Sequence, residues 1–179
     1  MFGRPSVSVT DNPYLDTLQA LVRRQIPFIL VGVGAINFYA KTPASIVATQ
    51  ALDILVPDDP PSLRDALAEL AASGFELSVA GEPFLDVADD VVLAAVLRAG
   101  AASHAQSASG AELDVTARIA GYSFQELASD AVGFRVGDVE VRVGRLGKLL
   151  RSKELADRPK DRAFLQLYRA GLEDESNDG

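Results

Sequence analysis

Two aspartates stand inside apolar segments of the sequence, where a carboxylate is costly to place. Asp53 lies in TQALDILVP (49–57), and Asp114 lies in AELDVTARIAG (111–121). A charge in a buried strand is unfavourable unless it is hydrated, hydrogen-bonded or bound to a cation. Either aspartate alone could stand at a strand end, bonded to water or to backbone N–H groups. The two together favour a shared Mg²⁺ site, because hard cations prefer carboxylate oxygens.

A glycine-containing turn precedes Asp53. The segment LVGVGA (30–35) follows an apolar run and opens into a helical pattern, and it contains Gly32, Val33 and Gly34. A strand-to-helix turn of this kind presents backbone N–H groups that suit a phosphate. Glycine at such a turn can equally serve a steric need. The segment has neither the GK[ST] of a P-loop nor the third glycine of a dinucleotide-binding fingerprint.

Four apolar runs predict the strands that position these residues, and a hairpin pattern with Gly137 and Asp138 at its turn follows them. The predicted strands cover 28–32, 51–56, 75–80 and 111–121, and the hairpin covers 133–144. The segment AASHAQSASG (101–110) predicts a loop or a poor edge strand. A mobile surface position is the favoured interpretation for its histidine, His104, since a general base would have no partner visible in the sequence.

Helical spacing of apolar residues predicts helices around these strands. A serine and a glutamate three residues apart form a capping-box pattern at the start of 123–131, and Arg158–Pro159 divides two C-terminal helices. The other predicted helices cover 13–24, 34–41, 61–73 and part of 86–100. We therefore predict an α/β (α+β) fold, a small mixed β-sheet flanked by helices, with three strands side by side: 27–31, 51–56 and 111–117.

The composition limits the class of protein. The chain has 179 residues, of which 48% are hydrophobic, and this is enough for one domain with a core. It has no cysteine, which excludes disulfides and thiolate metal sites and makes a cytoplasmic location the default. The N-terminus has no signal-peptide pattern, and no uncharged apolar run approaches the roughly 20 residues that span a bilayer. We expect a cytoplasmic protein without a membrane partner.

The charge pattern limits the partners. The formal net charge is −8, whereas nucleic-acid binders favour a basic surface, so we expect no strong general nucleic-acid patch and consider a basic protein partner. Basic residues cluster towards the C-terminus and form either a solvated helix face or a local phosphate-facing patch. They are Arg145, Lys148, Arg151, Lys153, Arg158, Lys160, Arg162 and Arg169.

The composition along the chain predicts its organisation. We expect a flexible segment at residues 1–12, a single domain at 13–171 and a disordered acidic tail at 172–179.

The order of these features resembles the nucleotidyltransferase superfamily with the polymerase-β-like fold. The similarity is closest to a small bacterial branch related to the AbiEii-type toxin–antitoxin nucleotidyltransferases, and it spans residues 14–168. Such sequences follow the pattern hhGGxAh…TxDhDhhh, where h is apolar, and then K-x-x-x-x-R-x-K-D near the C-terminus. This chain matches the pattern at Gly32, Ala35, Thr49, Asp53, Asp114 (the later carboxylate), Lys153, Arg158, Lys160 and Asp161.

The resemblance implies transfer of a nucleoside monophosphate from an NTP to an RNA, protein or small-molecule acceptor, with Mg²⁺ as cofactor. In such enzymes, paired acids hold two metal ions about 3.5–4 Å apart. By this resemblance, Asp53 and Asp114 are the catalytic residues and the metal ligands. The implied substrate or phosphate contacts are Gly32, Val33, Gly34, Thr49, Lys153 and Lys160.

Two positions depart from the pattern. Ala51 stands where the first metal aspartate is expected, and Val33 stands where the second glycine is expected. Alanine offers no side-chain oxygen to a metal, so we expect little or no nucleotidyl transfer. Three explanations stay open: a natural pseudoenzyme, an engineered inactive variant, or a metal site completed by a neighbour such as Glu112. The alternative function is a non-catalytic nucleotide- or protein-binding component of a toxin–antitoxin or defence system.

Overall fold

One mixed sheet of eight strands carries the fold. The computed structural model describes residues 14–84 and 86–177. In chain order the strands are β1 (Ile29–Val31), β2 (Leu52–Leu55), β3 (Glu76–Val79), β4 (Glu82–Pro83), β5 (Ser103–Gln106), β6 (Glu112–Thr116), β7 (Val132–Val136) and β8 (Val139–Val143). Their order across the sheet is β4-β3-β5-β6-β2-β1-β8-β7. Since β6, β2 and β1 are adjacent, the predicted neighbourhood of these three strands is confirmed.

Helices flank the sheet, as the sequence predicts. They are α1 (Leu15–Arg23), α2 (Gly32–Asn37), α3 (Pro60–Ala72), α4 (Asp90–Ala99), α5 (Phe124–Ala128), α6 (Leu146–Ala156) and α7 (Pro159–Asn177), with a 3₁₀ turn at Pro43–Ser45. α2 begins two residues earlier than predicted, directly after β1. α4 begins only at Asp90, because the side chain of Asp89 accepts hydrogen bonds from the first free N–H groups of that helix.

Local sequence chemistry sets several of these boundaries. The side chain of Asp59 caps α3, whose first turn contains prolines that lack the N–H groups left unpaired there. Ser123 and Glu126 form the predicted capping box of α5. The left-handed backbone of Asp157 ends α6, and Pro159 begins α7. These helix ends follow directly from short-range hydrogen bonds and from the restricted backbone of proline.

Alternation along the central strands separates an apolar face from a polar one. The apolar face joins the core through Leu52, Ile54, Ala105, Leu113 and Val115, and α3 packs against β3 and β6. Successive strand residues point to opposite faces. Asp53 and Asp114 therefore point away from this core, and both are half-buried. The period of two thus allows a carboxylate in each apolar strand without placing its charge in the core.

The prediction for residues 101–110 is wrong. This segment contains β5, which is an interior strand paired with β3 on one side and β6 on the other. Its small residues Ser103 and Ala105 are fully buried. Pairing on both edges outweighs the weak strand propensity of such a segment, because propensity depends strongly on context in a sheet.

The C-terminal helix is longer than the sequence predicts. Residues 172–177 belong to α7 and are not a disordered tail. Adding residues to an existing helix requires no new nucleation, so the acidic end continues it at little cost. The predicted flexible segment 1–12 lies outside the described residues. Within the described part of the chain, no helix has the length and apolar character required to cross a membrane.

Candidate functional site

The two aspartates of the sequence pattern face each other across neighbouring strands. Asp53 and Asp114 are paired in register between the parallel strands β2 and β6. Side chains in register point to the same face, and neighbouring strands lie about 4.8 Å apart. Both residues line one cavity of about 520 Å³. The structure therefore brings them together, and we call this pair the acidic wall.

The electrostatics of Asp53 reflect this setting. Burial raises its pKa to about 6, and the negative charge of Asp114 adds to the shift. The positive charges of Lys153, Lys160 and Arg158 act in the opposite direction. A carboxylate with such a pKa would gain from a cation placed beside it.

The turn after β1 is shaped by the side chain of Asp53. Gly32 has a backbone φ of +72°, and a Cβ there would lie 2.1 Å from Asp53 Oδ2. Only glycine permits this close approach together with the left-handed backbone. A Cβ at Gly34 would lie 2.8 Å from Leu52 Cδ1, so that glycine allows α2 to pack on β2. The steric interpretation of these glycines therefore applies to both positions.

The predicted phosphate-contact residues divide into two groups. Gly32, Lys153 and Lys160 line the cavity, whereas Val33, Gly34 and Thr49 do not. The hydroxyl of Thr49 is exposed and donates a hydrogen bond to the backbone carbonyl of Ala51. The position of Thr49 is therefore explained by local backbone structure.

Three basic residues, which we call the basic wall, share the cavity with the acidic wall. Lys153 from α6, Arg158 from the connection between α6 and α7, and Lys160 from α7 line the same cavity. Behind them lies Asp161, whose side chain is fully buried. Three of the eight C-terminal basic residues therefore line the cavity, and their role as a phosphate-facing patch stays a prediction.

Sequence reasoning missed three polar residues of the cavity lining: Ser152, Thr116 and Arg118. Thr116 and Arg118 stand two and four residues after Asp114, so the period-two alternation of a strand would have indicated Thr116. Arg118 Nε donates a hydrogen bond to Asp58 at 2.9 Å. No pattern in the sequence indicated Ser152.

The expectation for His104 is wrong. His104 belongs to β5 and is paired in register with Asp114. The distance between His104 Nδ1 and Asp114 Oδ1 is 2.8 Å, and the tautomer decides which atom carries the proton. The imidazole is thus tied to a strand and hydrogen-bonded to one oxygen of the acidic wall. The pairing of β5 with β6 creates this contact, which no sequence motif indicates.

The side chains at the acidic wall supply few oxygen ligands for Mg²⁺. Asp53 and Asp114 supply two carboxylates, and Ala51, directly before β2, supplies none. Glu112 accepts a hydrogen bond from Gln106 instead. Among the described residues, no group of three or more His, Cys, Asp or Glu side chains could hold a metal ion. Two carboxylates fit one Mg²⁺ that completes its shell with phosphate oxygens and water, but not a bridged two-metal centre.

The fold of this chain is similar to that of a solved structure. A crystal structure of an antigenic nucleotidyltransferase-like protein from Paracoccidioides brasiliensis is similar over 88% of this chain and 72% of that chain, with a TM-score of 0.51. The chain has a nucleotidyltransferase-like fold. The identity is 16%, so the likeness concerns the fold alone. No protein-family model and no curated protein matches the sequence. The predicted fold class is confirmed, and the AbiEii-type branch stays a prediction.

Proposed function

We propose that the cavity binds a nucleoside triphosphate, with its phosphates between the acidic and basic walls. The observation that carries this proposal is the in-register pair Asp53 and Asp114 facing Lys153, Arg158 and Lys160 across one cavity. Phosphates bind ammonium and guanidinium groups through charge-assisted hydrogen bonds. The nucleotidyltransferase-like fold supports the same choice of ligand.

A divalent cation has a place in this proposal. Asp53 and Asp114 would hold Mg²⁺, which when bound neutralises phosphate charge and polarises the phosphoryl group. With a pKa of about 6, Asp53 is mostly ionised at neutral pH and could bind the cation as a carboxylate. The basic wall would orient the remaining phosphate oxygens.

For catalysis, we propose weak or absent transfer of a nucleoside monophosphate. The acceptor would be an RNA, a protein hydroxyl or a small molecule. Transfer of this kind relies on positioning and on charge neutralisation at the phosphorus atom. With alanine at position 51, one carboxylate of the expected set is missing. Nucleotide binding would therefore be weakened less than nucleotidyl transfer.

The alternative is a non-catalytic nucleotide- or protein-binding component of a toxin–antitoxin or defence system. Ala51 and Val33 favour it, because they are two independent departures from the catalytic pattern. The acidic charge of −8 would suit a basic protein partner. Absence of nucleotide binding would favour the protein-contact form of this alternative.

Calorimetry with ATP, GTP, CTP and UTP tests the binding proposal. We expect dissociation constants of about 0.1–1 mM, or roughly −4 to −5.5 kcal/mol, and weaker binding without Mg²⁺. Lys153→Ala is expected to weaken binding, because that lysine lines the cavity. The control is Lys41→Ala, which removes the same charge from an exposed position that does not line the cavity. No heat with any nucleotide, or equal losses in both variants, would contradict the proposed site.

A further inference from the structure

We propose that Asp161 is a positioning residue that orients Lys153 and Arg158 towards a polyphosphate. The inference rests on the proposed nucleotide binding and deepens it. It assigns a role to a residue that does not itself line the cavity. Asp161 would act by holding two cations, Lys153 from α6 and Arg158 from the connection between α6 and α7.

The contacts of Asp161 carry the inference. Its Oδ1 accepts from Lys153 Nζ at 3.1 Å, and its Oδ2 accepts from Arg158 Nε at 2.6 Å. Arg158 Nη2 adds a bond to Oδ1 at 3.2 Å. The guanidinium therefore grips the carboxylate with two parallel bonds, which fixes the plane of the side chain. One buried carboxylate thus sets the direction of both cations.

The backbone at this corner joins the same carboxylate. Arg158 N–H donates to Asp161 Oδ2 at 3.3 Å, and Asp157 ends α6 in a left-handed conformation with φ of 47°. An acidic residue in the first turn of a helix is a common capping device. Capping accounts for the backbone bond and not for the bonds to the side chains of Lys153 and Arg158. The carboxylate therefore does more than begin α7.

The cations keep donors for a ligand. Lysine has three N–H donors and arginine five. Among the described residues, the hydrogen bonds to Asp161 use only some of the side-chain donors of Lys153 and Arg158. The side chain of Lys153 is only 15% exposed, so its direction depends on its partner. Lys153 and Arg158 line the same cavity as Asp53 and Asp114, so a ligand bound there would meet both the cations and the acidic wall.

The charge state of Asp161 agrees with this role. Burial alone would raise its pKa, but the hydrogen bonds from Arg158 and Lys153 outweigh burial and hold the pKa below its usual range. Asp161 is thus ionised at neutral pH. A side chain held in this way has already lost its rotamer freedom before a ligand arrives, which lowers the entropic cost of binding.

The test compares Asp161→Asn with wild-type protein in NMR shift titrations with ATP, ADP, AMP and adenosine. Asparagine keeps the shape and removes the charge. We expect ATP binding to weaken about tenfold or more, with smaller losses for ADP and AMP and no change for adenosine. A merely structural role would weaken all four ligands together, so the dependence on phosphate number is the deciding readout.

Two further variants keep the test decisive. Asp130→Asn breaks a comparable carboxylate pair with Lys148 and Arg145 outside the cavity, and we expect it to leave all four affinities unchanged. Arg158→Lys keeps the charge and loses the paired bonds to Asp161, and we expect it to weaken ATP binding even if Asp161→Asn fails to fold.

The outcomes separate the inference from the proposed function. Wild-type protein that binds no nucleotide would overturn both. ATP binding that is unchanged or tighter in Asp161→Asn would overturn the positioning role alone, as would full ATP affinity in Arg158→Lys. Tighter ATP binding in Asp161→Asn would show that the carboxylate competes with the phosphates for the cations.

Discussion

The acidic and basic walls of the cavity differ in how completely they are built. The acidic wall has two carboxylates on adjacent strands, and Ala51 stands where the resemblance predicts a further one. In the basic wall, Lys153 and Arg158 are held by a buried partner, Asp161. On the proposed function, the phosphate side of the cavity therefore has more of its expected residues in place than the metal side. This contrast favours binding over catalysis.

The largest effect is expected from completing the acidic wall. Ala51→Asp would supply the absent carboxylate and raise nucleotidyl transfer about a hundredfold or more, since each 1.36 kcal/mol of transition-state stabilisation is about tenfold in rate. Labelled NTP incubated with Mg²⁺ measures it. Ala51→Asn, of similar size and without charge, is the control. Equal rates in all three proteins, also with Val33→Gly added, would mean that position 51 has been misassigned.

Breaking the basic wall is the next largest change. Asp161→Asn leaves Lys153 and Arg158 without their anion, so we expect a loss of about 3 kcal/mol in the free energy of unfolding at pH 7. The folded pKa of Asp161 lies below its ordinary value, so its contribution is present above the unfolded pKa and is lost as pH falls through the folded pKa. Denaturation with urea between about pH 7 and pH 2.5 measures this difference. A difference independent of pH would contradict the assignment.

Ionisation of Asp53 is expected to lower the free energy of unfolding, whereas ionisation of Asp161 raises it. Its folded pKa is about 6 against an ordinary 3.8, so the folded state binds more protons between these values and loses stability as pH rises through them. Asp53→Asn removes that loss, and we expect it to stabilise the protein by about 2 kcal/mol at pH 7.5 and by little at pH 4. Urea denaturation at both pH values measures it. Destabilisation of Asp53→Asn at pH 7.5 would show that the neighbouring cations already offset the cost of burying the ionised carboxylate.

The smallest predicted effect concerns the turn beside Asp53. Gly32→Ala places a Cβ against Asp53 Oδ2 and strains a backbone with φ of +72°, so we expect a loss of about 1 kcal/mol in stability. Gly147→Ala is the control, because a Cβ there meets open space within α6, and alanine favours a helix. Chemical denaturation of both variants measures the difference. A neutral Gly32→Ala would contradict both the contact with the Asp53 carboxylate and the backbone strain at this position.

The sequence by itself determined the elements whose cause is local. The capping box of Ser123 and Glu126 and the hairpin turn at Gly137 depend on residues within a few positions of each other. The apolar runs around Asp53 and Asp114 predicted two strands, and the order of the motifs supplied their adjacency. Short-range hydrogen bonds and the period of a strand are readable without the fold, which is why these predictions are confirmed.

Only the tertiary structure decided which distant side chains meet. The contact between His104 and Asp114 depends on the register of β5 against β6, and β5 is stabilised by pairing on both edges. Asp161 reaches Lys153 because α7 follows α6 after a sharp corner and packs against it, whereas its pair with Arg158 is a local contact between residues three positions apart. Register and helix crossing are set by the packing of the whole core, and a one-residue slip in a strand would turn every side chain to the other face. No local pattern contains that information.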